Sequence, residues 1–560
     1  MQRLFVLAAL AIAACRPTGR ADLILRNTAV YTMVDSAPRA QAVAIRAGKI
    51  IYVGDNAGAD RLAGDSTEAL DLAGRMVLPG FHDTHVHLRE GVSLDECVLE
   101  NLTTQQAVID SVKACAAEKP NATWVRGRGW ALPVFPAANP RREWLDRIVP
   151  DRPVFLAAAD GHSAWVNTKA LVLAGVTAKT PDPGNGRIER DSKTGAPSGT
   201  LRESATELVS AKLPPYTADE VRRGLERAVH LANSFGITTA HEASMSPEVM
   251  EAYATLDREH QLTVRSIGAI YVDPALGIGQ VKSMVAWRKR FGGGTYFRPT
   301  AAKIFADGVI EAKTAALLAP YQDGSSRRGK PNFRPSQLDS IVAALDKAEF
   351  QVHIHAIGDG AIRMGLDALE RARQANGPRD ARPIIAHIEL FDPADIPRFK
   401  QLGVIASFQP LWAYPDEYIT QLTQPILGPA RSRWLYPIGS MVKSGATVAA
   451  GSDWTVSSMN PLEAIQVAIT RRAPTDSTAG PPWIPEEVVD LTTMLKAYTI
   501  EGARAAFDER IDGTIETGKA ADLVVLDRDL YRIPVQQIHR AKVLYTFLDG
   551  REVYRHRAVP

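Results

Sequence analysis

The 560-residue chain has little of several things that would fix its class at once. It holds only three cysteines, and neither Cys97 nor Cys115 has a Cys or His partner at zinc-finger spacing, which speaks against a structural zinc domain. Net charge is nearly absent, since 65 Lys+Arg against 63 Asp+Glu leave +2. With no basic cluster either, nothing marks an electrostatic footprint for nucleic acid. No glycine-rich phosphate loop follows any strand-like run, which counts against nucleotide binding. No internal repeat or low-complexity tract is visible.

A long apolar run is also missing. The nearest is Leu4 to Ala14, too short to span a bilayer as a mature helix and preceded by Arg3, which is the form of a secretory signal. Its ending, Ile12-Ala13-Ala14-Cys15, resembles a bacterial lipobox, in which cleavage leaves Cys15 as the lipid-modified first residue and residues 16–19 as a tether. An ordinary signal peptide cut nearby and a buried N-terminal helix are the alternatives, although nothing after Cys15 continues a helix. The expectation is export across the inner membrane, to a periplasmic or membrane-anchored lipoprotein whose only membrane contact is that anchor. In such an oxidising compartment Cys97 and Cys115 either close a disulfide loop or stay as buried thiols.

What is present is a soluble globular composition, 45% hydrophobic and 23% charged, in a chain long enough for one large domain with attachments or for several. Residues 21–75 read as short strands and turns, and the stretch 508–560 repeats that texture. Strands at both ends suggest one composite β module, because either set alone would be left with unpaired edges. Between them, residues 76–507 alternate strand and helix. The clearest helix is 217–235, with Thr217 and Glu220 in a capping-box pattern, Val221, Leu225, Ala228 and Ala232 at helical spacing, and Gly236 closing it. So many apolar strands separated by helices favour a closed (β/α)8 barrel over an open doubly wound sheet, which remains the alternative. Residues of about 90–215, rich in Pro and Gly, fit that rhythm poorly and read as an insertion after the first barrel strand.

The stretch LPGFHDTHVHL (78–88) organises the rest. Arg75 to Leu78 reads as the first barrel strand, and His85 and His87, spaced by one, can converge on a single ion because strand side chains alternate faces. Alone, the pair could equally be loop decoration. Polar residues at later strand ends, Lys303, His355, His387 and Asp453, strengthen it, since a barrel directs all six toward one axial point at its C-terminal mouth. Neutral imidazoles and a carboxylate are what a borderline cation such as zinc takes. His82 and Asp83 flank the motif and fit supporting roles.

These residues, with DGHSAWVNTKAL (160–171), GTLRESA (199–205), HAIGDGA (355–361) and the terminal DGTIETGKAADLVVLD, resemble the amidohydrolase superfamily, in particular its family 3 branch that includes N-substituted formamide deformylase. The resemblance implies a metal-dependent (β/α)8 hydrolase with a small β-sandwich built from both termini. By position, His85 and His87 would be first-strand ligands and Lys303 a carboxylated lysine bridging two metals. His355 and His387 would be the fifth- and sixth-strand ligands, and Asp453 a ligand and general base. His355 is preferred over His353 because it precedes the AIGD turn. Should Lys303 be unmodified, a single-metal site on His85, His87 and Asp453 with one or both other histidines is the fallback. Asp307 and Glu311 are expected in the loop that follows.

The expected cofactor is a divalent metal, zinc by preference, as one or two ions. His162 is a candidate for contacting substrate or stabilising an oxyanion, with a structural hydrogen bond as the alternative. Glu203 and His241 are weaker candidates, and Trp130, Trp165, Trp412 and Trp454 are pocket-wall candidates whose default is buried packing. The expected activity is hydrolysis of a non-peptide C–N bond in a small amide, formamide or cyclic amide. Ester or lactone hydrolysis, isomerisation, and a non-catalytic periplasmic binding role are the alternatives. The sequence is compatible with a homo-oligomer.

Overall fold

The computed structural model describes residues 19–476, 480–557 and 559. The expected signal segment, including Cys15, lies outside the described residues. Among them, eight parallel strands form the core: β1 Phe81–Val86, β2 Ile237–Met245, β3 Arg265–Tyr271, β4 Phe297–Phe305, β5 Gln351–Ala356, β6 Ile384–His387, β7 Ile405–Phe408 and β8 Val448–Ala450. They pair in that order, so the sheet winds continuously from β1 to β8. The barrel is nearly closed by the chain that follows β8. There the backbone N–H of Asp453 donates to the His85 carbonyl (2.7 Å) and that of His87 to the Trp454 carbonyl (2.9 Å).

Strand alternation decides what faces the axis. In β5, Val352, Ile354 and Ala356 join the outer hydrophobic core, which leaves His353 and His355 on the inward face. In β4, Ala302 and Ile304 do the same and Lys303 points inward. The outer layer is built from helices such as Ala218–Ser234. Its capping box is formed, with Glu220 N–H donating to Thr217 Oγ1 (3.2 Å) and Thr217 N–H donating to Glu220 Oε2 (2.8 Å). Leu225, Ala228, Val229 and Ala232 form its buried stripe, where burying Leu225 or Val229 contributes roughly 1.5–3 kcal/mol.

One boundary differs from the sequence reading. The stretch 75–78, read there as the first barrel strand at the start of the 76–507 domain, overlaps a strand, Met76–Pro79, that pairs antiparallel with Leu523–Leu526 and parallel with Ala29–Tyr31 in a six-stranded sheet. That sheet takes strands from both chain ends and packs against a four-stranded one, with Leu25, Val43, Val77, Val525 and Phe547 in their shared core. The barrel therefore begins at Phe81. Gly80 is where the chain changes sheets, its N–H donating to the Asp522 carbonyl while that of Phe81 turns to Gly236. A Cβ on Gly80 would stand 2.2 Å from Thr238 Oγ1, so the crossing demands glycine. A second difference is β3, which the apolar runs do not mark because Arg265, Ser266 and Gly268 interrupt it.

Residues 97–202 carry a six-stranded sheet of their own, with Trp130, Leu156 and Trp165 in its core. Cys97, on one short strand, is joined by a disulfide to Cys115 on helix Gln105–Glu118, with the Cα atoms 5.7 Å apart. The turn between strands Val154–Ala158 and Ser163–Val166 carries Asp160, Gly161 and His162 to the barrel mouth.

Candidate metal centre

The C-terminal ends of the barrel strands bring His85, His87, His355, His387 and Asp453 to the walls of one cavity of about 300 Å³. Lys303 is fully buried behind it. Register sets the levels: Lys303 pairs with His353 and Phe305 with His355 across β4 and β5, while Ala356 pairs with His387 across β5 and β6. Lys303 and His353 thus lie one step deeper in the barrel than His355.

The donor atoms converge on Asp453. Its Oδ1 lies 3.1 Å from His87 Nε2 and 3.5 Å from His85 Nε2, and its Oδ2 lies 4.0 Å from His387 Nδ1. Lys303 Nζ is 3.1 Å from His85 Nε2. His85, His387 and Asp453 each offer one ligand atom within 4.8 Å of the others. His387 Nδ1 donates to Gln409 Oε1 at 2.8 Å, which leaves Nε2 with its lone pair, and that buried nitrogen has no hydrogen-bond partner. An orphaned, buried imidazole nitrogen with a free lone pair fits a metal ligand. The His355 ring is 4.5 Å from that of His387, but its Nε2 faces the Gly308 carbonyl (3.3 Å) and Asp307 Oδ1 (3.6 Å).

The protonation states of His85, His387 and His355 suit the same role. Burial, reinforced by Lys303, pushes His85 and His387 well below the usual histidine range, and burial together with His387 does so for His355. Burial brings the Lys303 amine down to about 7 despite the pull of Asp453, so a neutral amine, the form able to add CO2, is accessible near neutral pH. Burial would raise Asp453, but the hydrogen bond and charge of His87 outweigh it and hold the carboxyl below its ordinary range. His87 is held above its ordinary value against burial by Asp453 and Glu242.

Backbone strain concentrates here too. His387 and Asp453 sit at φ 78° and 53°, the left-handed region that costs a residue with a Cβ on the order of 1 kcal/mol and that clusters at functional sites.

The flanking candidates separate clearly. His162 lines the cavity, its ring 5.1 Å from His355, and its Nδ1 is 2.8 Å from Glu203 Oε2. Glu203 is held in turn by Thr314 Oγ1 (2.6 Å), from the loop after β4. Burial alone would lower His162, yet the Glu203 carboxylate lifts it to about 9. His82 points away from the cluster, its Nε2 3.3 Å from Asp512 Oδ1. Asp83 Oδ1 accepts from the N–H groups of His85 and Ser452 (3.1 and 3.0 Å) and so knits the barrel seam. Asp307 accepts three backbone N–H groups, from Ala316, Ile357 and Gly358, and ties the β4 and β5 loops together. Glu311 accepts from Thr423 Oγ1.

His241 is buried with neither ring nitrogen hydrogen-bonded. Trp130 and Trp165 belong to the insertion core, Trp412 stacks on His387 at 5.6 Å with the planes 3° apart, and Trp454 lines a neighbouring groove. Two residues that carry no motif of their own also serve the cluster. One is Gln409, described above; the other is Glu242, fully buried, with Oε1 3.7 Å from His87 Nδ1 and Oε2 accepting from Tyr253 Oη (2.8 Å) and Arg89 N–H (2.9 Å). An acid beside His241 in TTAHEAS was the available signal for Glu242.

Comparison with known proteins identifies the family. Residues 68–554 match the amidohydrolase family. The chain is 32% identical to Protein LONG AFTER FAR-RED 3 of Arabidopsis thaliana, over 95% of this chain and 92% of that one. It is 30% identical to the N-substituted formamide deformylase of Arthrobacter pascens, over 94% and 97%. Among solved structures, an uncharacterized metal-dependent hydrolase from Pyrococcus horikoshii superposes with a TM-score of 0.72 at 25% identity, over 92% of this chain and 99% of that one.

Proposed function

The chain belongs to the amidohydrolase family, and on that premise we propose that it hydrolyses a non-peptide C–N bond of a small amide, formamide or cyclic amide. The observation that carries this reading is the meeting of His85, His87, His387 and Asp453, with Lys303 behind them, on one strained and buried cluster at the barrel mouth. His85, His387 and Asp453, with His87 alongside, would hold a divalent metal, zinc by the character of the donors. Lys303, once carboxylated, and His355 would provide for a second ion. A metal bound there supplies Lewis acidity toward the scissile carbonyl and lowers the pKa of water.

The remaining work falls to the chain's own side chains. Asp453, ionised at neutral pH, accepts the proton of the attacking water at a carboxylate oxygen and returns it to the leaving nitrogen. His162, charged through Glu203, faces the same cavity and stabilises negative charge growing on the substrate oxygen. Stacking by Trp412 fixes the His387 ring. The formamide deformylase likeness supports the C–N assignment. We further propose, from Ile12-Ala13-Ala14-Cys15, that the enzyme works outside the inner membrane on a lipid anchor.

The test is turnover of N-formyl, N-acyl and cyclic amides beside matched esters by metal-loaded protein. Amide cleavage abolished by Asp453→Asn supports the reading, whereas cleavage of esters with no amide turned over removes the C–N assignment.

A further inference from the structure

Beneath the cluster lies a histidine that the mechanism leaves unused. His353 is two residues before His355 on the same inward face of β5, level with Lys303. It is fully buried and does not line the cavity. Its Nε2 is 2.8 Å from His85 Nδ1, with the ring centroids 4.8 Å apart and the planes at 74°.

Two imidazole nitrogens at that distance share one proton, so one must donate and the other accept. The other nitrogen of His85, Nε2, is the atom turned to Lys303 and Asp453, and to serve there it must keep its lone pair. The proton of neutral His85 therefore sits on Nδ1, and His353 Nε2 is the acceptor. Any other assignment puts the His85 proton where the cation would be.

We propose that His353 is a positioning residue, which fixes the tautomer and ring orientation of His85 from below so that Nε2 presents its lone pair to the metal. This rests on the reading of His85 as a ligand. Metal-bound histidines are commonly oriented this way through the ring nitrogen that does not bind. Here the orienting acceptor is another imidazole, and among the described residues His353 makes the hydrogen bond to His85 Nδ1. His353 and His355 thus divide the work that a single strand presents at two heights, the upper facing the cavity and the lower holding the ligand across the barrel.

The experiment uses two near-isosteric neutral substitutions that differ in one property. In His353→Gln a side-chain oxygen can still accept from His85 Nδ1, whereas in His353→Met that acceptor is gone. Full-length protein is stripped, then titrated with Zn2+ against a chromogenic chelator, with His387→Ala as the ligand-loss control. His353→Gln should bind within about threefold of wild type and His353→Met about 10–100-fold more weakly. A packing role would move both variants alike, so equal affinities in Gln and Met overturn the proposal.

Loss of zinc in His353→Gln as complete as in His387→Ala also overturns it, by making His353 a ligand. Unchanged affinity in His387→Ala removes the metal site itself and the proposal with it. Should His353→Met not fold, 15N-histidine NMR of zinc-free wild type decides independently. His85 in the Nδ1–H tautomer is the expected result, and Nε2–H overturns the assignment.

Discussion

Asp453 Oδ1 stands 3.1 Å from His87 Nε2 across the seam where the end of the barrel meets its beginning. The same seam is held by the backbone N–H of Asp453 on the His85 carbonyl and by Asp83 on the N–H groups of His85 and Ser452. Closure of the barrel and assembly of the cluster are therefore one event. Substitutions at the seam can fail by either route, through loss of the fold or loss of the cluster.

The His162–Glu203 pair should set an alkaline limit on activity. His162 is charged below about 9 because Glu203 outweighs burial, so the oxyanion role proposed for it would be present at neutral pH and fade as pH rises through that value. The stability contributed by the pair has the same sign: complete below the ordinary histidine pKa of about 6.5 and lost as pH climbs through the raised one. Glu203→Gln should move the alkaline limb of kcat to lower pH, and His162→Gln should cost about 10²–10³ in kcat. Rate profiles between pH 6 and 10 with unchanged limbs would leave the pair a structural bridge.

His82 and His87 share a motif but should behave differently. His87→Ala is expected to lose metal affinity, measured by elemental analysis after dialysis. His82→Ala should keep its metal and instead unfold earlier, because it empties a fully buried imidazole site beside Asp512, a cavity cost on the order of 2 kcal/mol.

That distinction also shows what the sequence could reveal. Spacing and strand-end position picked out His85, His87, Lys303, His355, His387 and Asp453 because strand alternation and barrel geometry are local rules with one global consequence. Pairing partners are not local: nothing within Met76–Pro79 says that its neighbours are Leu523–Leu526 and Ala29–Tyr31 rather than β2. β3 carries no clear apolar mark for a similar reason, since the room at Gly268 is set by neighbours distant in sequence, with Met245 Sδ 2.3 Å from where a Cβ would stand. Gln409 and Glu242 have no motif at all, and what recruits them is contact with His387 and His87 across separate strands.

Reducing the Cys97–Cys115 bond, which closes a loop of 18 residues, should destabilise the inserted module by about 3 kcal/mol. The candidate metal cluster is built on other elements. Thermal unfolding of Cys97→Ser/Cys115→Ser protein should therefore begin earlier while zinc content stays at the wild-type level; equal loss of both would tie the module to the centre.

Cys15→Ser should shift the protein from the membrane fraction to the soluble fraction of its host, while amide turnover per molecule stays constant. Equal membrane association of the variant would contradict the lipid anchor.

The central claim is that metal and Asp453 together cleave an amide. Protein stripped by a chelator, reloaded with Zn2+ and assayed on the amide panel beside Asp453→Asn tests it most directly. The account predicts no turnover when stripped, recovery on reloading, and a loss of at least about 10²-fold in Asp453→Asn. Amide turnover that survives metal removal, or is unchanged by Asp453→Asn, would contradict it.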